Sequence, residues 1–443
     1  EIAQCLVGSE MCIRDRYLQN MKLKLYMAKN TTIFLFLMIF ACACSSQSEV
    51  IDDELNPDET ANIVLNGETR AAADNLHNFY IKYTLDAIKY VNSNNEILSK
   101  NTIVSPLSTS MVLAMLANGV DNDAKSEILD YLGVKNLNSL NNLSEILLSE
   151  LPVADKRAEM KIANAIWVNN HYKLNQDYTS LINLSYQGEI NNADFGNGKK
   201  VADAINKWCS VKTDGLIRKM FDTVDPSSMA ILLNAVFFKG KWRDETFLKE
   251  NTKKETFNGL NKTTEVDMMH ATHAMRNYFA DDSFEIFYLP FGNRSFSFIG
   301  IVPREGISLE EATRLLTDEE IASLKENTVY CMLAVDMPKF KVENELKLND
   351  IFKTGGLESV CESIDMKMFQ EEVAGSVFFK QAANLEIDES GAKLAAVTSG
   401  DISTAAPIIP GSEQHVRLDR PFYFFIQENS TGACLLSGMI TDI

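Results

Sequence analysis

A chain of 443 residues, 46% of them hydrophobic, can bury a substantial core. Its 42 basic and 61 acidic residues leave a net charge of −19, which argues against nucleic acid or heparin-like polyanions as partners. Length alone allows two or three domains, yet no Pro/Gly/Ser-rich linker, repeat or low-complexity segment interrupts the chain after residue 75, so one large domain is favoured.

Residues 1–20 begin at Glu1, and the run from Cys5 to Arg16 resembles translated read-through of a sequencing adapter, so this stretch is set aside from fold reasoning. After it, Lys22, Lys24 and Lys29 precede an apolar run from Thr31 to Ala41 that is short for a membrane span and reads as an export signal over 21–44. The run ends Ile39-Phe40-Ala41-Cys42-Ala43-Cys44-Ser45-Ser46, similar to a bacterial lipobox. Cys44 is the first choice for lipidation and Cys42 the alternative, against the plainer reading of two ordinary cysteines ending a signal peptide. A lipid on either cysteine implies an exported protein anchored to the outer membrane or cell surface of a Gram-negative bacterium. Residues 45–74, with Asp52, Asp53, Glu54, Asp58 and Glu59, are too polar to offset the entropy of ordering and read as an acidic flexible tether. The folded body is expected over 75–443.

Within the body the pattern is helices first and strands later. Apolar spacing predicts helices over 76–92, 106–116, 121–131 and 200–209, the second opened by Ser105-Pro106 and the last turning Trp208 inward. The run 230–238 is nearly continuous hydrophobe, as expected of a strand buried on both faces, and further strands are expected over 284–289, 296–302, 330–337, 422–426 and 433–439. The fold class is α+β, with mixed and antiparallel sheets packed under helices. Cys209, Cys331, Cys361 and Cys434 lack CxxC pairing or zinc-like spacing to His, so they read as buried free thiols, with an oxidised pair the alternative in an exported protein, and no metal or cofactor is expected. No HExxH, GxSxG, Walker or dinucleotide motif occurs, and His270 has no partner in sequence, so no catalytic residue is assigned and the protein is not expected to be an enzyme.

Asp388 to Gly400 is the most informative segment. An acidic lead-in with Gly391 passes into Ala392, Leu394, Ala396 and Thr398, which alternate with Lys393 and Ser399 as in a half-buried strand, although Ala395 and Val397 blur the pattern. Pro407, Pro410 and Gly411 then forbid regular pairing. Other motifs follow in order: Asn101 to Ser108 with Leu113 to Gly119, Ile205-Asn206-Lys207-Trp208, Asn234 to Trp242, Met268-Met269-His270, Met337 to Val342, and Arg420 to Ile426 with Thr431-Gly432. A strand-forming segment held in a loop, together with this ordered set, resembles the serpins, inhibitors of serine proteases.

The resemblance implies a serpin fold with an exposed reactive centre loop and a physical mechanism. A target serine or cysteine protease cleaves the loop and is acylated by it; the segment from Gly391 then inserts into the central sheet before deacylation. By motif, Glu389, Ser390, Gly391, Ala392, Lys393, Leu394, Ala395 and Ala396 form the hinge. Ser105, Ser108, Asn234 and Gln381 form the cluster that controls sheet opening, and Trp242 lies where the loop first enters. Each also has an ordinary role open to it: helix caps for the serines, a satisfied buried amide for Asn234, core for Trp242. Gln381 stands where the family usually keeps histidine, and Leu394 where inhibitory members keep a small residue. An overfilled pocket under Leu394, at about 1–3 kcal/mol, would slow insertion, leaving a non-inhibitory serpin or a surface-binding lipoprotein as the alternatives. Counting from the hinge puts the scissile bond at Ala405-Ala406, which suits elastase-like or subtilisin-like pockets. The acting unit is expected to be a monomer.

Overall fold

The computed structural model describes residues 59–93, 101–375, 379–392 and 413–443. Cys42 and Cys44, the hinge residues Lys393, Leu394, Ala395 and Ala396, and the pair Ala405 and Ala406 lie outside the described residues. The helices are α1 (Gly67–Ser93), α2 (Pro106–Ala117), α3 (Asn122–Leu132), α4 (Leu137–Glu150), α5 (Gln176–Tyr186), α6 (Gly198–Lys212), α7 (Leu309–Leu315), α8 (Asp318–Glu326) and α9 (Leu348–Thr354). The strands of the first half are β1 (Thr102–Val104), β2 (Ala158–Asn169), β3 (Glu189–Ala193), β4 (Ala230–Gly240), β5 (Lys253–Asn258), β6 (Thr263–His270), β7 (Ala274–Ala280), β8 (Phe284–Pro290) and β9 (Phe296–Pro303). Those of the second half are β10 (Val329–Pro338), β11 (Phe340–Lys347), β12 (Ile364–Met366), β13 (Val373–Gly375), β14 (Lys380–Asp388), β15 (Gly391–Ala392), β16 (Gln414–Arg417), β17 (Phe422–Glu428) and β18 (Cys434–Ile440).

A large sheet runs β1-β18-β17-β9-β8-β7-β10-β6-β5, with β16 lying parallel on β10. Two three-stranded sheets, β3-β2-β4 and β11-β14-β15, stand apart from it, and β12 pairs with β13. The architecture is α+β.

Helix α2 lies at the centre, with every residue from Pro106 to Ala117 except Val112 buried. A helix apolar all round needs such a site. Its start is set locally: the Ser105 hydroxyl accepts from the Ser108 amide, and Pro106 occupies the first turn, where its missing N–H costs no hydrogen bond. Strands β2 and β4 separate two cores. Ile166, Val168 and Leu232 join the main core, while Ala165, Trp167, Ile231 and Leu233 pack with Val201, Ile205 and Cys209 of α6. Cover on both faces is the reason the sequence of β4 is almost unbroken hydrophobe.

Several expectations are corrected. Helix α1 starts at Gly67, and Ile63, Ala72 and Ala73 are buried, so residues 59–74 belong to the body rather than to a flexible tether. Thr60 and Ile63 are tied by hydrogen bonds to Asn293 and Ser430, contacts distant in sequence that composition cannot reveal. Trp208 is half-buried, its indole N–H donating to Glu189 at 2.8 Å, because α6 turns Ile205 and Cys209 toward the sheet instead. Helices α7, α8 and α9 interrupt the strand-rich half. All four described cysteines are free, but Cys331 and Cys361 are only half-buried. Burial pushes the Cys209 and Cys434 thiols up to about 12.

Candidate functional site: a divided sheet and its hinge

The two three-stranded sheets face each other through β4 and β14, which exchange no ladder pairing. Between them lies a cavity of about 20 Å³, lined by Leu232 and Asn234 on one side, Lys380 and Gln381 on the other, and Ser108 and Thr109 beneath. That is room for about one water molecule.

Helix α2 holds the two halves unequally. On the β14 side Gln381, 7% exposed, accepts from the Ser105 amide at 2.9 Å and donates to Ser105 O at 2.9 Å and Thr109 Oγ1 at 3.0 Å. The Ser105 hydroxyl in turn donates to Leu435 O at 2.7 Å. On the β4 side two long, weak bonds reach the helix, Ser108 Oγ to Asn234 O at 3.5 Å and Asn234 Nδ2 to Met111 Sδ at 3.5 Å. The Asn234 amide donates to Asn164 Oδ1 at 2.7 Å, while its own Oδ1 has no hydrogen-bond partner among the described residues. The hydrogen bonds of β4 to the helix are therefore both long, with an unused acceptor beside the cavity.

The hinge closes the upper end of this crevice. Strand β14 alternates cleanly, with Gln381, Ala383, Leu385 and Ile387 buried, then turns through Glu389-Ser390. The chain returns as β15, pairing Ile387 with Ala392 and Asp388 with Gly391. Across the gap Gly391 bridges to Lys241, and the Trp242 amide donates to Ser390 O at 3.3 Å. Two residues of hinge thus already stand between the halves. Gly391 has φ +124°, and a Cβ there would lie 2.0 Å from Gly240 O, so no other residue fits. Trp242, 6% exposed and stacked on Phe291 at 4.5 Å, donates its indole N–H to Asp388 O at 2.8 Å.

Glu389 anchors the turn. Its carboxylate, 7% exposed, pairs with Lys339 at 2.7 Å and accepts from Thr252 at 2.7 Å. Burial opposes the charge, but the bonds from Lys339 and Thr252 outweigh it and hold the carboxyl below the usual glutamate range. Ser390 is held by Asp388, which accepts from its amide at 2.7 Å and from its hydroxyl.

The site thus brings together Ser105, Ser108 and Gln381 under the sheet, with Asn234 beside them, and Trp242 with Glu389, Ser390, Gly391 and Ala392 at its upper end. Thr109, Asn164, Lys339 and Thr252 were not assigned from sequence. Thr109 was legible in principle, one helical turn after Ser105. Lys339 and Thr252 meet Glu389 only through the fold. His270 lies elsewhere, its ring nitrogens 2.7 Å from Asp336 and 2.9 Å from Glu255, and both carboxylates also pair with Arg417 of β16. It serves a network that fixes the strand after the loop.

Comparison with known proteins agrees with this geometry. The family model for serpin (serine protease inhibitor) matches residues 80–443. Serine protease inhibitor 42Dd of Drosophila melanogaster is 31% identical over 348 residues, covering 75% of this chain and 89% of that protein. A serpin-like protein of Thermococcus kodakarensis is 27% identical over 370 residues, covering 81% of this chain and 84% of the other. Among solved structures, the native state of the thermophilic serpin tengpin superposes with a TM-score of 0.73 at 26% identity, over 86% of this chain and 96% of tengpin. With the family model spanning residues 80–443, this chain belongs to the serpin family.

Proposed function

We propose that this serpin is a suicide inhibitor of serine proteases, with cysteine proteases as a further class, and that it acts by loop cleavage and insertion without turnover of its own. The observation that carries the reading is the hinge pair Gly391-Ala392, already paired with β14 and bridged to Lys241 just past the end of β4, above an unfilled crevice. Continuing β15 downward would fill the gap and complete two ladders, a state more stable than the starting one and reached only past a kinetic barrier. Strand β4 moves aside more readily than β14, because two long bonds, from Ser108 and to Met111, tie it against three shorter ones at Gln381. In this reading Ser105, Ser108, Asn234 and Gln381 set the cost of opening, and Trp242 guides the first residues in.

The expected cut at Ala405-Ala406, with no Lys or Arg between Lys393 and Arg417, favours elastase-like or subtilisin-like targets. Leu394 favours a second reading, a non-inhibitory member that is cut and released. An anchor through Cys44 or Cys42 would put the inhibitor at a bacterial surface, acting as a monomer. Thermal unfolding before and after nicking the loop tests insertion. A large rise in melting temperature on nicking is expected, and an unchanged value would refute insertion altogether.

A further inference from the structure

Away from the divided sheet, the large sheet carries a cavity of about 400 Å³, a size suited to a small-molecule ligand. It lies against β7 and β8, beside the turn at 243–246. In a chain of net charge −19 its walls are unusual, bringing Arg243, Arg276 and Arg294 together against the single carboxylate of Asp244.

Arg276 is the informative member. It is 5% exposed, and its Nη1 donates to the backbone oxygens of Thr272 at 2.8 Å and Leu333 at 2.6 Å. Among the described residues no carboxylate lies within ion-pair distance of it. Asp244 is largely exposed and is paired to Arg243 at 3.0 Å. A buried guanidinium bonded only to neutral carbonyls is costly. Burial accordingly lowers its pKa to about 10.

Apolar surface adjoins these charges. Tyr288, Tyr330 and Met275 line the cavity, with Tyr330 55% and Met275 37% exposed. The backbone around the site is strained as well. Of the five non-glycine residues with positive φ among the described residues, Asp244 (52°) and Arg294 (75°) line the cavity and Glu245 (46°) adjoins it. Strain concentrated at one concave site is a mark of function.

We propose that this cavity binds a small amphiphilic anion, a flat apolar body carrying one carboxylate or sulfonate group. Arg276 pairs with the anionic group, Arg294 supplements it at the rim, and Tyr288, Tyr330 and Met275 cover the apolar body. The site is independent of loop insertion.

Calorimetric titration of the full chain with 1-naphthalenesulfonate tests this, with the uncharged 1-naphthalenemethanol as control. One site per chain is expected, weakening with added salt, with the neutral compound at least about tenfold weaker for want of a charge-assisted hydrogen bond. Arg276→Met should lose binding. Because Arg276 also ties β7 to β10 and that variant can fail to fold, Arg294→Ser and Tyr330→Ala are tested beside it; both alter exposed rim positions and each should weaken binding. Equal binding of the neutral compound, affinity unaltered in both rim variants, or no binding up to about 5 mM would overturn the proposal.

Discussion

Gly391→Ala isolates the hinge from the rest of the fold. In the native chain its Cβ would stand 2.0 Å from Gly240 O and 2.9 Å from both Lys241 Cα and the Trp242 amide, at φ +124°. The backbone conformation alone costs about 1–3 kcal/mol for a side-chain-bearing residue, and the overlap adds to it. The total loss is capped, because a hinge strained beyond its own binding energy simply detaches. What detaching forfeits is two pairings with β14, one bond to Trp242 and the burial of Ala392, together about 3 kcal/mol. For a body of roughly 380 residues, at about 2.1 cal/mol/K per residue, that lowers the melting temperature by about 4 °C. Insertion extends β15 downward from a turn already made, so in the loop-inserted form Gly391 keeps its pairing with Asp388 and its approach to Lys241, and the penalty for alanine persists there. Calorimetry of intact and nicked protein, wild type against variant, should therefore show a loss in both forms. A fall confined to the intact form, or no fall in either, would refute the assignment of Gly391 as the fixed turn from which the loop inserts.

Other outcomes follow from the same geometry. Glu389→Gln should destabilise the native form by about 2 kcal/mol, the scale of a charge-assisted hydrogen bond. Because the folded carboxyl sits below its ordinary value, that stabilisation is full above the unfolded glutamate pKa of about 4.3 and is lost as pH falls through the folded one; melting curves of wild type and variant should converge in acid. Gln381→Ala leaves the buried Ser105 amide unpaired and should cost about 1–3 kcal/mol in native stability, read by chemical denaturation. Leu394→Ala should raise the fraction of loop cleavages that end in a trapped protease, measured as the stoichiometry of inhibition; an unchanged partition would mean that the pocket accepts leucine.

The parts of this fold visible in sequence are those that local chemistry dictates. Ser105-Pro106 announces the start of α2 because cap and proline act within one turn, and β4 is legible because burial on both faces removes polar interruptions. Strand β2 was missed, since Lys161 and Asn164 break its apolar run and its partners lie on β4, far along the chain. The role of Gly391 came from resemblance; its physical cause, close approach to Gly240 O, needs the fold. Gln381 offered a signal of its own: on a strand whose alternate residues are core, a polar side chain facing inward marks a bonded cluster. Lys339 carried no such signal, because an exposed lysine and the partner of a buried glutamate look alike until the chain folds.

The central claim is tested most directly by mixing the intact protein with an elastase-like and, separately, a trypsin-like serine protease, resolving the products in denaturing detergent and sequencing the released C-terminal fragment. The account predicts a detergent-stable covalent complex with the elastase-like enzyme and a fragment beginning at Ala406. Cleavage with no complex, preferential trapping of the trypsin-like enzyme, or a cut confined to the chain beyond Gly411 would contradict it.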